Sequence, residues 1–115
     1  MILWKRSLKK LMQNKLLSYL GLAARGRNVV SGEFATDRAV KTGSARLVLV
    51  AEDASERTKK DMNDKCAFYE VPIYFVSTKE ELGHAIGKES RASIAVTDEG
   101  LTKAILKHLE QEKSN

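Results

Sequence analysis

Cysteine, histidine and proline are scarce in this chain: one Cys, two His and one Pro among 115 residues. The lone cysteine, Cys66, excludes an intramolecular disulfide and any multi-cysteine zinc site. His84 and His108 have no second His or Cys at metal-ligand spacing, so no metal site is expected. Gly21, Gly26 and Gly32 fit neither G-x-G-x-x-G nor a Walker A loop, which argues against a nucleotide cofactor. No apolar run approaches the roughly 20 residues needed to span a bilayer. The segment beginning at Met1 places Ile2, Leu3 and Trp4 before Lys5 and Arg6, the reverse of a secretory signal. The expectation is a reduced, cytoplasmic setting without a membrane partner.

What remains is 43% hydrophobic and 30% charged residues, enough for one domain with one core. The net charge of +5 is unevenly placed. Residues 1–46 hold ten Lys/Arg against Glu33 and Asp37, a balance of +8, whereas residues 47–115 carry −3. Such asymmetry points to a polyanionic partner, nucleic acid before membrane.

Apolar residues at Leu8, Leu11, Met12, Leu16, Tyr19, Leu20 and Ala23 have helical spacing, with Lys9, Lys10 and Lys15 off the stripe. Gly26 is placed to end that helix in a left-handed turn. After a short strand, Ser31-Gly32-Glu33 offers a second helix start, with Ser31 as its cap and Gly43 as its stop. Residues 46–51 read as a buried central strand. Thr58, Met62, Cys66 and Tyr69 then define one face of a third helix, making Cys66 a core thiol. Pro72 introduces a strand over residues 73–76, and Thr78 with Glu81 forms a capping box opening a short helix. Residues 92–96 form another strand, and Asp98 caps a last helix with Leu101, Ala104, Ile105, His108 and Leu109 on one face. Strands alternating with helices predict a three-layer α/β/α sandwich around a small mixed sheet of about four strands. Residues 1–13 read as a basic N-terminal extension and 14–112 as the single domain.

Glu52 and Asp53 form the best carboxylate pair, at a strand end where α/β proteins gather ligands. Adjacent strand residues face opposite ways, however, so capping or loop ordering suits them better than shared proton chemistry. No catalytic constellation emerges, and no enzyme activity is expected. The start of the second helix is a better site, because its backbone N–H groups are free and Gly32 carries no side chain to block a phosphate. Arg25, Arg27, Arg38 and Lys41 lie around it in sequence, and Lys88 and Arg91 form a second basic cluster.

Gly32-Glu-Phe-Ala-Thr-Asp-Arg38-Ala-Val-Lys-Thr-Gly43 and Ala45-Arg-Leu-Val-Leu-Val-Ala-Glu-Asp53 resemble the signature of the kink-turn RNA-binding ribosomal-protein family, the L-seven-Ae and L-thirty-e type. Ala51-Glu-Asp-Ala-Ser55, Val71-Pro72, Ile86-Gly-Lys-Glu-Ser-Arg91 and Ala95-Val-Thr-Asp98 are similar to the bacterial YlxQ-type branch. The resemblance implies an α/β/α sandwich that binds bent, structured RNA in a ribosomal or translation context; a monomer without cofactors is expected beside it. In that family the second helix opens Gly-x-Asn-Glu-x-x-Lys, whose polar residues read guanines of sheared G·A pairs. Here Gly32 matches the Gly and Arg38 falls at the Lys, but Phe34 and Ala35 replace the Asn and Glu. The loop implied to cover splayed bases carries Lys88, Glu89, Ser90 and Arg91, a shift toward phosphate contact. The resemblance thus implies an RNA-facing set of Arg27, Ser31, Gly32, Glu33, Phe34, Arg38, Lys41, Glu52, Lys88, Glu89, Ser90 and Arg91. Phe34 is open to two readings, stacking on an unpaired base or packing in the core. The missing Asn-Glu pair also leaves open a protein-interaction module that kept the fold and lost specific RNA reading.

Overall fold

A computed structural model describes the backbone over residues 2–114 and the side chains over residues 14–111. Its elements, in chain order, are α1 (Ile2–Arg25), β1 (Val29–Ser31), α2 (Glu33–Thr42), β2 (Leu47–Val50), α3 (Glu56–Phe68), β3 (Ile73–Phe75), α4 (Lys79–Ala85), β4 (Ser93–Val96) and α5 (Glu99–Ser114). The strands form one mixed sheet in the order β1-β4-β2-β3. β2 runs parallel to β3 and antiparallel to β4, and β1 closes the other edge antiparallel to β4. All four residues of β2 and of β4 are buried, as interior strands covered on both faces require. Helices α1, α4 and α5 pack together, and α2 packs on α3, β1 and β4, which gives the expected α/β/α layering.

The core joins Leu16 and Leu20 of α1, Val40 of α2, Met62 and Cys66 of α3, Leu82 of α4 and Ile105 and Leu109 of α5 onto the strands. The predicted stripe of α1 is therefore confirmed at Leu16, Leu20 and Ala23, while Leu8, Leu11 and Met12 lie outside the described side chains. Burial at 0% exposure pushes the Cys66 thiol up to about 11, which leaves it neutral and unreactive at ordinary pH.

Local details correct the sequence reading at several points. Helix α1 ends at Arg25, just before Gly26 as expected, but the left-handed corner falls on Arg27 at φ 60° rather than on Gly26. Asn28 N–H then donates to Ala23 carbonyl at 2.8 Å and Arg27 N–H to Ala24 carbonyl at 3.1 Å, the paired bonds of a Schellman ending. Helices α2, α3 and α4 end in the same way, with Gly43, Glu70 and Gly87 at the left-handed corner. Ser31 does not cap α2; it is the last residue of β1, and Gly32 is the cap. Tyr69 lies one residue beyond α3 and is 42% exposed, so the buried face of that helix rests on Met62 and Cys66. Strand β3 stops at Phe75, one residue short of the prediction. The capping residues Ser55, Thr78 and Asp98 each accept a backbone N–H at the start of their helix, at 2.8–3.1 Å.

Candidate nucleic-acid interface

Three helix N-termini meet at one end of the sheet, because α2 follows β1, α3 follows β2 and α4 follows β3. Two of them are filled. Ser55 accepts from Thr58 N–H, and at α4 Thr78 accepts from Glu81 N–H while Asp53 Oδ1 accepts from Lys79 N–H at 2.8 Å. Asp53 thus plays the capping role expected of it, and Glu52 beside it is exposed, with its own N–H bonded to the Ser77 carbonyl.

The start of α2 is different. Gly32 adopts φ 91° and ψ 157°, a conformation open essentially to glycine alone, and offers no side chain to the helix. Its N–H donates to the Ser93 carbonyl, and its carbonyl takes the first helical bond from Thr36 N–H at 3.0 Å. Among the described residues no acceptor meets the N–H groups of Glu33, Phe34 and Ala35, so they point outward with the positive end of the helix dipole. The helix itself is pinned from below: Thr36 and Ser93 are both fully buried, and the Ser93 hydroxyl donates to Thr36 Oγ1 at 3.4 Å. Nothing in the sequence pattern singled out that pair.

Antiparallel pairing of β1 with β4 brings the 87–91 loop beside this helix start, across some sixty residues of sequence. Arg91 Nε donates to Ser31 Oγ at 3.1 Å, and its Nη1 donates to the Ser90 carbonyl at 3.0 Å. The loop is anchored to α4 as well, through Arg91 N–H on the Lys79 carbonyl and Lys88 N–H on the Gly83 carbonyl. Gly83 is buried inside α4 because the backbone of Glu89 and Ser90 lies directly on it; a Cβ there would overlap the Glu89 carbonyl. A glycine inside a helical pattern is the signal that marks such an approach.

Phe34 is 81% exposed, which settles its side chain on the outer face rather than in the core. Arg38, one turn further on, shares that outer face, is exposed and has no ion pair among the described residues. Lys88 is likewise exposed and unpaired, and the carboxylates of Glu33 and Glu89 are exposed on the same rim. Ser31, Gly32, Glu33, Phe34, Arg38, Glu52, Lys88, Glu89, Ser90 and Arg91 are therefore brought to one end of the molecule. Arg27 is not: β1 separates it from Gly32, so it lies at the opposite end of the sheet with Arg25. Lys41 sits about 12 Å along α2 from Glu33 and is held by Asp37 Oδ2 at 3.1 Å. Asp37 also pairs with Lys65 of α3, and chiefly that ammonium holds its carboxyl below the usual range.

This arrangement offers three outward N–H donors, an exposed ring, two unpaired cations and a fixed loop, a set suited to binding a polyanion with exposed bases. No group of His, Cys, Asp and Glu able to hold a metal occurs among the described residues, and none of their helices is long and apolar enough to cross a membrane.

Known proteins share both the sequence and the fold. Residues 14–113 match the Ribosomal protein L7Ae/L30e/S12e/Gadd45 family. The RNA-binding protein YlxQ of Bacillus subtilis (strain 168) is 45% identical over 91 residues, spanning 79% of this chain and 91% of that protein. YlxQ of Enterococcus faecium is 36% identical over 91 residues, spanning 79% and 87%. A Bacillus halodurans C protein of unknown function superposes with a TM-score of 0.81 at 41% identity, covering 84% of this chain and 97% of that one. The 15.5kD RNA binding protein of Giardia lamblia shares the fold, with a TM-score of 0.75 at 20% identity and coverage of 90% and 88%. The chain belongs to the L7Ae/L30e/S12e/Gadd45 family of ribosomal proteins, in its YlxQ branch.

Proposed function

We propose that the protein is a non-enzymatic RNA-binding module that recognises a kink-turn-like bend in structured RNA, in a ribosomal or translation setting in the cytoplasm, and acts as a monomer. The observation that carries this reading is the open start of α2, where the cap Gly32 brings no side chain to the free N–H groups and the anchored 87–91 loop lies alongside. In a sharply bent RNA two strands converge while unpaired bases splay outward, so a binder needs donors for the crowded phosphates and a surface for the bases. The N–H groups of Glu33, Phe34 and Ala35 supply the donors, and the Phe34 ring supplies the surface. Arg38 is free to fork onto a guanine edge, with Lys88 and the remaining Arg91 donors closing over phosphate. Family membership and the name of the YlxQ relatives support RNA as the partner.

Phe34 and Ala35 replace the amide and carboxylate that the resemblance leads one to expect, so base-edge reading is reduced and affinity leans on stacking and charge. An exposed aromatic where a polar reader is expected also fits a protein-docking face, the second reading. Titration against a kink-turn duplex and a straight duplex of equal length, across a salt series, separates the two. RNA binding predicts a preference for the bent duplex that survives moderate salt, and Arg38→Ala should weaken it about tenfold. Unchanged affinity in Arg38→Ala removes the site from α2, and equal binding of both duplexes removes kink-turn recognition.

A further inference from the structure

At the opposite end of the sheet, the C-terminal ends of α2 and α3 enclose a cleft of about 350 Å³. Lys41, Gly43, Arg46, Tyr69, Glu70 and Pro72 line it. Nothing in the α2-start site uses this region, yet two features set it apart. The first is an exposed aromatic pair at its edge. Tyr69, which lines the cleft, is 42% exposed. Phe68, outside the lining, is 79% exposed and meets the Tyr69 ring with centroids 4.9 Å apart and planes at 77°. An edge-to-face pair leaves one flat ring face available, and an almost bare phenyl ring at a helix end contributes nothing to the core. The second is charge. Arg46 is exposed and has no ion pair among the described residues, its backbone N–H being held by the Val96 carbonyl. Lys41 and Lys65 share the single carboxylate of Asp37, which offsets only one of these two ammonium groups.

We propose that this cleft is a second RNA contact, one that takes a nucleotide of a single-stranded segment, stacked on the Phe68–Tyr69 pair with its phosphate against Arg46 and Lys41. Flat aromatic surfaces bordered by cations hold single strands because every base has a π-face and every linkage a charge. Glu70 also lines the cleft, and its carboxylate would repel phosphate, so the backbone is directed to the Arg46 side and the base edge, with its amino donors, to the Glu70 side. The two surfaces lie at the two ends of α2, about 15 Å apart, so one RNA with an unpaired tail can reach both.

The inference rests on the RNA-binding reading but does not require kink-turn recognition. The test follows backbone amide shifts of the full ¹⁵N-labelled chain as a ten-nucleotide single-stranded RNA is added, and separately a blunt kink-turn duplex. The oligonucleotide should shift the amides of Gly43, Arg46, Tyr69 and Glu70, and both Phe68→Ala and Arg46→Ala should weaken its binding about tenfold. Neither variant should alter affinity for the blunt duplex, a control that also shows they are folded. No shift at the cleft, shifts confined to residues 32–38, or wild-type affinity in both variants overturns the proposal. A patch that serves a protein partner gives the same negative result with the oligonucleotide. If the blunt duplex leaves residues 32–38 unmoved while the oligonucleotide shifts the cleft, the kink-turn reading falls and this one stands.

Discussion

Phe34 and Arg38 carry different costs, and the difference separates binding from folding at single residues. The Phe34 ring is 81% exposed and makes no core contact, so Phe34→Ala should leave thermal unfolding within about 0.5 kcal/mol of the parent. If the ring stacks on a base, the same change should weaken RNA binding by about 1–3 kcal/mol. Unfolding and titration of one sample measure both; lost stability with unchanged affinity would return Phe34 to a structural role. Gly32 is the converse case, since its φ of 91° is demanded by the turn from β1 into α2, with no contact crowding its Cα. Its identity was legible in the sequence as a helix start. Its role as the cap, with Ser31 released to hold Arg91, was not, because cap geometry depends on where β1 ends.

Among the elements, the 87–91 loop and the α2–α3 pair show how packing positions the site. Gly83 lets the loop backbone rest on α4, so Gly83→Ala must push Glu89 and Ser90 outward and strain the Arg91–Ser31 bond. That variant should lose RNA affinity several-fold and about 1–3 kcal/mol of stability, by the cost of overpacking a close contact. Wild-type affinity in a folded Gly83→Ala protein would show that the loop is not part of the interface. Asp37 ties α2 to α3 through Lys65, with 20% of its side chain exposed. Asp37→Asn should destabilise by about 0.5–1 kcal/mol, the upper range for ion pairs that solvent still partly screens. Because the Asp37 folded pKa is lowered, its increment is complete above the unfolded value of 3.8 and is lost as pH falls through the folded one. The Lys65 value is raised, so its share persists below 10.5 and disappears only as pH rises beyond it. The gap in acid unfolding between the parent and Asp37→Asn should therefore begin to narrow as pH falls below 3.8 and close only below the lowered folded value; a constant gap would show that the ion pair is not the source.

For the whole molecule, the +8 of residues 1–46 proves to be divided by the fold. Arg38 joins Lys88 and Arg91 from the acidic half at the α2 start, whereas Arg25, Arg27 and Arg46 lie toward the other end of the sheet. Among the described residues few cations therefore share any one surface, and the salt dependence they contribute should be shallow. Lys88→Ala should reduce the slope of log affinity against log salt by about 1 while weakening all RNA sequences alike. A slope unchanged by Lys88→Ala would place that lysine away from phosphate.

The order of elements, the buried strand Leu47–Val50, the core thiol of Cys66 and the capping residues Ser55, Thr78 and Asp98 were all determined by the sequence alone. Each depends on periodicity or chemistry within a few residues, where hydrophobic spacing and N–H capping act directly. The family was legible for the same reason, since its motifs are short and contiguous. Tertiary structure alone decided that Arg91 meets Ser31, that Arg27 is carried away from Gly32, and that Phe34 faces water. Those outcomes follow from antiparallel pairing between β1 and β4 and from the rotation of α2 about its axis when Thr36 and Ser93 are buried together. Pairing register and helix rotation are set by contacts between residues far apart in the chain, and no local pattern encodes them.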